Sequence, residues 1–173
     1  WCVGARGASV ASRLPIRGQR RRCIRDGDGA TPGFIAVQNG HAETVRVLAE
    51  LGACVKTAMN HGATPVYVAA ENGHAEVVRV LAELGACVNT AVKANGTMPV
   101  HMAALKGHVK VIRLLAVLKA DLTATTKAGH TPLFACAYTA HFEATKALLL
   151  LGAPITIQGL KQCSHAPGTL SPL

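Results

Sequence analysis

The chain is predicted to be an all-α repeat solenoid, made of helix–turn–helix units stacked with β-hairpin-like connectors. Three observations predict it. First, NGHAETVRVLAELGACVKT (39–57) and NGHAEVVRVLAELGACVNT (72–90) agree at seventeen of nineteen positions, at an offset of 33 residues. A fixed internal period of that size marks stacked units rather than one globular core. Second, four related units run in register from Gly29, Gly62, Gly96 and Gly129, at spacings of 33, 34 and 33. Third, each unit carries the start and stop residues of two short helices.

The segments follow in order. Residues 1–25 hold seven arginines and no acid, and RGQRRRCIR (17–25) is their densest part. The remainder has eleven basic and nine acidic residues, so most of the net charge of +9 belongs to this arm. The arm is rich in Gly, Ala and Ser without helical periodicity, and is expected to be disordered. Units then span 26–58, 59–91, 92–125 and 126–158, and an irregular tail spans 159–173.

Within a unit, Thr31, Thr64 or Thr131 precedes a proline. A threonine there can cap the free N–H groups of a helix, and proline fits the first helical turn. Gly40, Gly73 and Gly107 then close the first helix through the left-handed conformation. A second helix starts at the next histidine. In unit two its apolar residues are Val77, Val78, Val80, Leu81 and Leu84, while Arg79 and Glu83 lie four apart on another face, as Arg46 and Glu50 do. Gly52, Gly85 and Gly152 end the second helix. With only 3% aromatic residues in a chain that is 50% apolar, the core must consist of Ala, Val and Leu.

Departures from the pattern carry expectations. Gly33 stands where unit four has Leu133, which suits an N-terminal edge. Met98 replaces the capping threonine, at a cost of about 0.5–2 kcal/mol. Lys119 and Ala140 replace glycines, at about 1–2 kcal/mol each. Units three and four are therefore expected to open more readily than unit two. The extra residue of unit three falls within Ala91–Ala94. On the convex back, Glu50 and Glu83 align with Val117 and Leu150, and Leu148–Leu151 are four consecutive leucines. That face lacks the polar cover of a terminal repeat, so self-association through Val117 and Leu148–Leu151 is open to it.

The motifs TPGFIAV, TPVYVAA, MPVHMAA and TPLFACA, with the later G-H…V-V…L…G-A pattern and the 33-residue period, resemble those of ankyrin repeats. The resemblance covers about residues 26–156. It implies a non-catalytic protein–protein interaction module, a scaffold or adaptor inside the cell, in cytoplasm or nucleus. Its connectors would form β-hairpin fingers beside a concave groove. Carried onto this chain, the fingertips supply Asn60, His61, Asn95, Thr97, Lys127 and His130. The ends of the first helices supply Gln38, Asn39, Glu71, Asn72, Leu105, Lys106, Tyr138 and Thr139. Lys93, Lys106 and Lys127 make the C-terminal half of the groove mildly basic, Tyr138 is its only large aromatic, and an acidic or mixed-charge segment is the expected ligand. Two other readings are a nuclear regulator that contacts nucleic acid through residues 17–25, and a structural piece of a longer array.

Catalysis finds no footing. There is no phosphate-binding glycine loop, and no nucleophile–base or paired-carboxylate arrangement can be assigned to one surface. No cofactor is implied. Histidines 41, 74, 108 and 141 recur once per unit, too far apart to share a metal, and read as structural. Glu43, Glu76 and Glu143 suit the first turn of a helix dipole. No C-x-x-C pair occurs. Cys54 and Cys87 are one layer apart, about 8–10 Å, beyond disulfide reach, and the thiols are expected to be free. Cys136 is expected in the core. Asn95-Gly96-Thr97 matches a glycosylation acceptor on a connector, which the intracellular reading argues against. No apolar run is long enough to span a membrane.

Overall fold

The computed structural model describes residues 30–155. The arm 1–25 and the tail 159–173 lie outside them. Among the described residues there are eight α-helices and no strands. They form four pairs: α1 (Pro32–Gln38) and α2 (Ala42–Glu50), α3 (Pro65–Glu71) and α4 (Ala75–Glu83), α5 (Pro99–Leu105) and α6 (Val109–Val117), α7 (Pro132–Tyr138) and α8 (Phe142–Leu150). The first helices pack in one row and the second helices in another, each against its counterpart in the next pair. This is a two-row solenoid.

Local chemistry sets the helix starts. Thr31, Thr64 and Thr131 accept the backbone N–H of Phe34, Tyr67 and Phe134 at 3.1, 3.2 and 3.2 Å. Each is followed by a proline at the helix start. Met98 has no such side-chain bond. Its unit caps in reverse: His101 Nδ1 accepts the Met98 N–H at 3.3 Å, and Nε2 lies 3.1 Å from the Ala124 carbonyl and 3.2 Å from that of His130. The expected loss at Met98 is thus offset by a histidine where the other first helices have Phe34, Tyr67 and Phe134.

The second-helix histidines make no cap bond. Two of them, His74 and His108, join layers instead. His74 Nε2 reaches the Gln38 carbonyl at 3.0 Å, and His108 Nε2 reaches that of Glu71 at 3.0 Å. Each ring lies so close to the preceding pair's glycine that a Cβ added at Gly40 or Gly73 would stand 2.8 Å from it. Those glycines are therefore needed twice, for a left-handed turn and for a flush surface. Lys119 and Ala140 adopt the left-handed turn without glycine, at φ 58° and 56°.

The core is aliphatic. Val66, Ala69, Ala70, Val77, Val78, Val80 and Leu81 fill the second layer, and Val111, Ile112, Leu115 and Leu148 continue it. Each fully buried Val or Leu contributes about 1.5–3 kcal/mol relative to exposure. A Cβ added at Gly33 would meet Val55 Cγ1 at 3.0 Å, so the Val55 side chain fills the space beside it. Leu148 is fully buried and leaves the proposed self-association set. Arg46 reaches across to Glu83 of the next layer at 3.2 Å rather than to Glu50, while Arg79 pairs with both Glu76 and Glu83.

The connectors close as short loops. Met59 N–H donates to the Ala63 carbonyl at 2.9 Å, Val92 to Thr97 at 2.9 Å and Thr126 to His130 at 2.9 Å. The second closure spans one residue more than the others. The extra residue of unit three is therefore held inside the 92–97 loop.

Candidate functional site

The third and fourth helix pairs enclose a cleft of about 510 Å³. Asn95 and Thr97 come from the loop before α5, and His101, Met102 and Leu105 from α5. Thr126 and His130 come from the loop before α7, and Phe134, Ala135 and Tyr138 from α7. Phe134 and Tyr138 are four residues apart, so they share a helix face. His130 stacks on Phe134 with ring centres 4.3 Å apart, and Phe134 on Tyr138 at 6.2 Å. Tyr138 is 63% exposed at the open end of this ladder.

Polar atoms of the lining are largely engaged with the protein itself. Asn95 Oδ1 accepts the Thr97 N–H at 3.0 Å, and Thr126 Oγ1 accepts the His130 N–H at 3.2 Å. Burial is the main force that holds the His101 imidazole below its ordinary range, against the carbonyls of His130 and Ala124, which favour the cation. No carboxylate lines the cleft. Lys127 Nζ donates to the carbonyls of Lys93 at 2.6 Å and Ala94 at 3.0 Å, and its N–H donates to the Asn95 carbonyl at 3.0 Å. These bonds tie the two loops together and fix one ammonium group beside the cleft. Exposed Lys106 follows Leu105 at the end of α5.

The cleft brings together Asn95, Thr97, Leu105, His130 and Tyr138 of the sequence-derived contact residues. It is not lined by Gln38, Asn39, Asn60, His61, Glu71, Asn72, Lys106, Lys127 or Thr139. Thr97 differs from expectation, since it is buried at 8% exposure and forms part of the wall rather than a fingertip. Its N–H and carbonyl both close the loop, which draws it inward. Gln38 and Asn72 join two layers, since the Gln38 carbonyl faces His74 and accepts from Asn72 at 3.4 Å, whereas Thr139 Oγ1 donates to the Ala135 carbonyl one turn back in its own helix at 2.9 Å.

A family model described as "Ankyrin repeats (3 copies)" matches residues 2–92 and 87–158. The chain belongs to the ankyrin-repeat family. A search of curated proteins finds no match. Ankyrin repeats are in general protein–protein interaction modules, and the family is typically non-catalytic.

Sequence reasoning missed part of this ankyrin groove. Tyr138 is not its only large aromatic, because Phe134 lines it as well. The four-residue spacing of Phe134 and Tyr138 was the available signal. Met102, Ala135, Thr126 and His101 were not legible as lining, since they meet only when two repeats stack. Among the described residues no group of three or more His, Cys, Asp or Glu is placed to hold a metal ion. No described helix is long and apolar enough to cross a membrane.

The described cysteines are of three kinds. Cys87 is an exposed free thiol whose pKa is lowered, chiefly by a hydrogen bond from Thr90. Cys136 is a buried free thiol, which donates to the Ala104 carbonyl at 3.3 Å and is pushed up to about 12 by burial. Cys54 is disulfide-bonded, which corrects the expectation of free thiols at that position.

Proposed function

We propose that this ankyrin array is a non-catalytic adaptor that holds a partner protein along its connector tips and concave groove. The single observation that carries the reading is the cleft between the third and fourth repeats, where apolar helix faces and loop tips converge on an accessible tyrosine. Tyrosine supplies large contact area together with a polar tip, and anchors many interfaces. The tips at Asn60 and His61 and the helix ends at Gln38, Asn39, Glu71 and Asn72 extend the same side toward the N-terminal repeats. The test is a pull-down from cell extract with the full chain, comparing wild type with the Tyr138→Ala/Lys106→Ala variant. Both side chains lie at the surface, so the variant retains the helical circular dichroism of the wild type. A partner retained equally by both proteins would count against this groove.

A second reading is supported by one specific feature. Val117, Phe142, Leu149, Leu150 and Leu151 are exposed. Apolar surface on the end of α6 and along α8 favours self-association. Light scattering of the full chain tests it: a monomer at every concentration removes this reading.

A further inference from the structure

We infer that the cleft between α5 and α7 takes a protein segment presenting one large apolar or aromatic side chain flanked by carboxylates. The inference rests on the protein-interaction reading and names the chemistry of the partner.

The anchor follows from the lining. A cleft of about 510 Å³ lies within the range of ordinary ligand sites, about 300–1,000 Å³. Its walls are the side chains of Met102, Leu105, Phe134 and Tyr138. The polar groups at its loop end already serve one another: Asn95 Oδ1 holds Thr97, Thr126 Oγ1 holds His130, and His101 uses both ring nitrogens. A polar small molecule would lose its hydration without gaining matched partners. An apolar side chain needs none, and gains from each square ångström that it covers.

The flanking charge follows from the rim. Lys106 stands at one end, while Lys127 and Lys93 stand at the loop end, with the Lys127 ammonium held over the loop carbonyls. No lining residue is acidic, and the ion-paired carboxylates Glu76 and Glu83 lie on α4, away from the cleft lining. A segment with Asp or Glu beside its anchor is attracted, and one with Lys or Arg is repelled.

Lysines with stacked rings could also suit single-stranded nucleic acid. The ring geometry speaks against it. His130 and Phe134 cover each other at 4.3 Å and an interplanar angle of 19°, which leaves no gap for a base between them.

The experiment pans a phage-displayed library of random peptides on the immobilised full chain, and on its Tyr138→Ala and Lys93→Glu/Lys106→Glu variants. Oligothymidine is titrated in parallel. The wild type should enrich peptides with an aromatic or long aliphatic residue next to Asp or Glu. A synthetic member of that pool should bind Tyr138→Ala at least about tenfold more weakly, as expected for loss of an interface anchor. The charge-reversed variant should enrich basic flanks instead. Enriched peptides without acidic flanks, or peptides that bind Tyr138→Ala unchanged, overturn the inference but leave the adaptor reading in place. Oligothymidine binding that is lost in Tyr138→Ala overturns it in favour of nucleic acid. A library with no enrichment over bare support removes both.

Discussion

Gly73 and Gly85 have almost the same backbone, φ +78° and +79°, yet their surroundings differ. A Cβ at Gly73 would meet the His108 ring at 2.8 Å, while nothing lies within 4 Å of Gly85. The pair separates backbone strain from stacking. Gly85→Ala should cost about 1–2 kcal/mol, the penalty of a left-handed alanine. Gly73→Ala should exceed it by about 1–3 kcal/mol, because the neighbouring layer must shift. Urea denaturation measures both, and equal costs would rule out a stacking role for the histidine contact. The same geometry explains a departure in the sequence. Ala140 occupies the corresponding turn of the last helix pair, where no further pair follows within residues 30–155 to press a histidine against it. The cysteines yield a second prediction at this scale. Native protein treated with iodoacetamide should label Cys87 well before Cys136, because thiolate is the reactive form. Comparable labelling in a peptide map would show that the Cys136 site opens readily.

At the scale of single elements, α5 shows how two neighbouring departures belong together. Met98 removed the cap, and His101 supplies an acceptor from within the first turn. That use requires a neutral ring, because a proton on Nδ1 turns the acceptor into a donor facing another N–H. The folded pKa lies below the ordinary value of about 6.5, so the fold favours the neutral form. The sign follows: the contribution is fully present above about pH 6.5 and is lost as pH falls through the lowered folded value. The titratable groups that act on this ring are Asp121, which favours its protonation, and His130, which opposes it. The Met98→Thr/His101→Phe double variant restores the pattern of the fourth repeat. It should stay within about 1 kcal/mol of wild type at neutral pH, since cap and packing are both replaced. Its stability should also vary less between pH 7.5 and 5 than that of the wild type. Unchanged acid sensitivity on thermal melting would shift the cause to another group. The helix boundaries themselves were legible, because threonine, proline and glycine act within one turn. The reverse cap was not, because it depends on a bond to the backbone three residues earlier and on carbonyls more than twenty residues away.

For the molecule as a whole, stability is a sum over layers and the contacts between neighbouring layers. The α3/α4 pair has a layer on each side, whereas α7/α8 has one within residues 30–155 and exposes Phe142 and Leu150. Hydrogen–deuterium exchange should therefore protect α3 and α4 more than α7 and α8, and uniform protection would contradict this layered account. The exposed ion pairs that join Arg46, Glu76, Arg79 and Glu83 add little to that ordering, since solvent screens them. The sequence by itself determined the repeat period, the helix pairs, their caps and turns, and the aliphatic character of the core. These rest on residues a few positions apart, and on a pattern that copies itself. Tertiary structure alone decided that Thr97 turns inward, that Leu148 is core while Leu150 is surface, and that Phe134 joins Tyr138 in a cleft. Those outcomes depend on which side chains meet across layers, about one repeat apart in sequence, where local periodicity carries no information about contact.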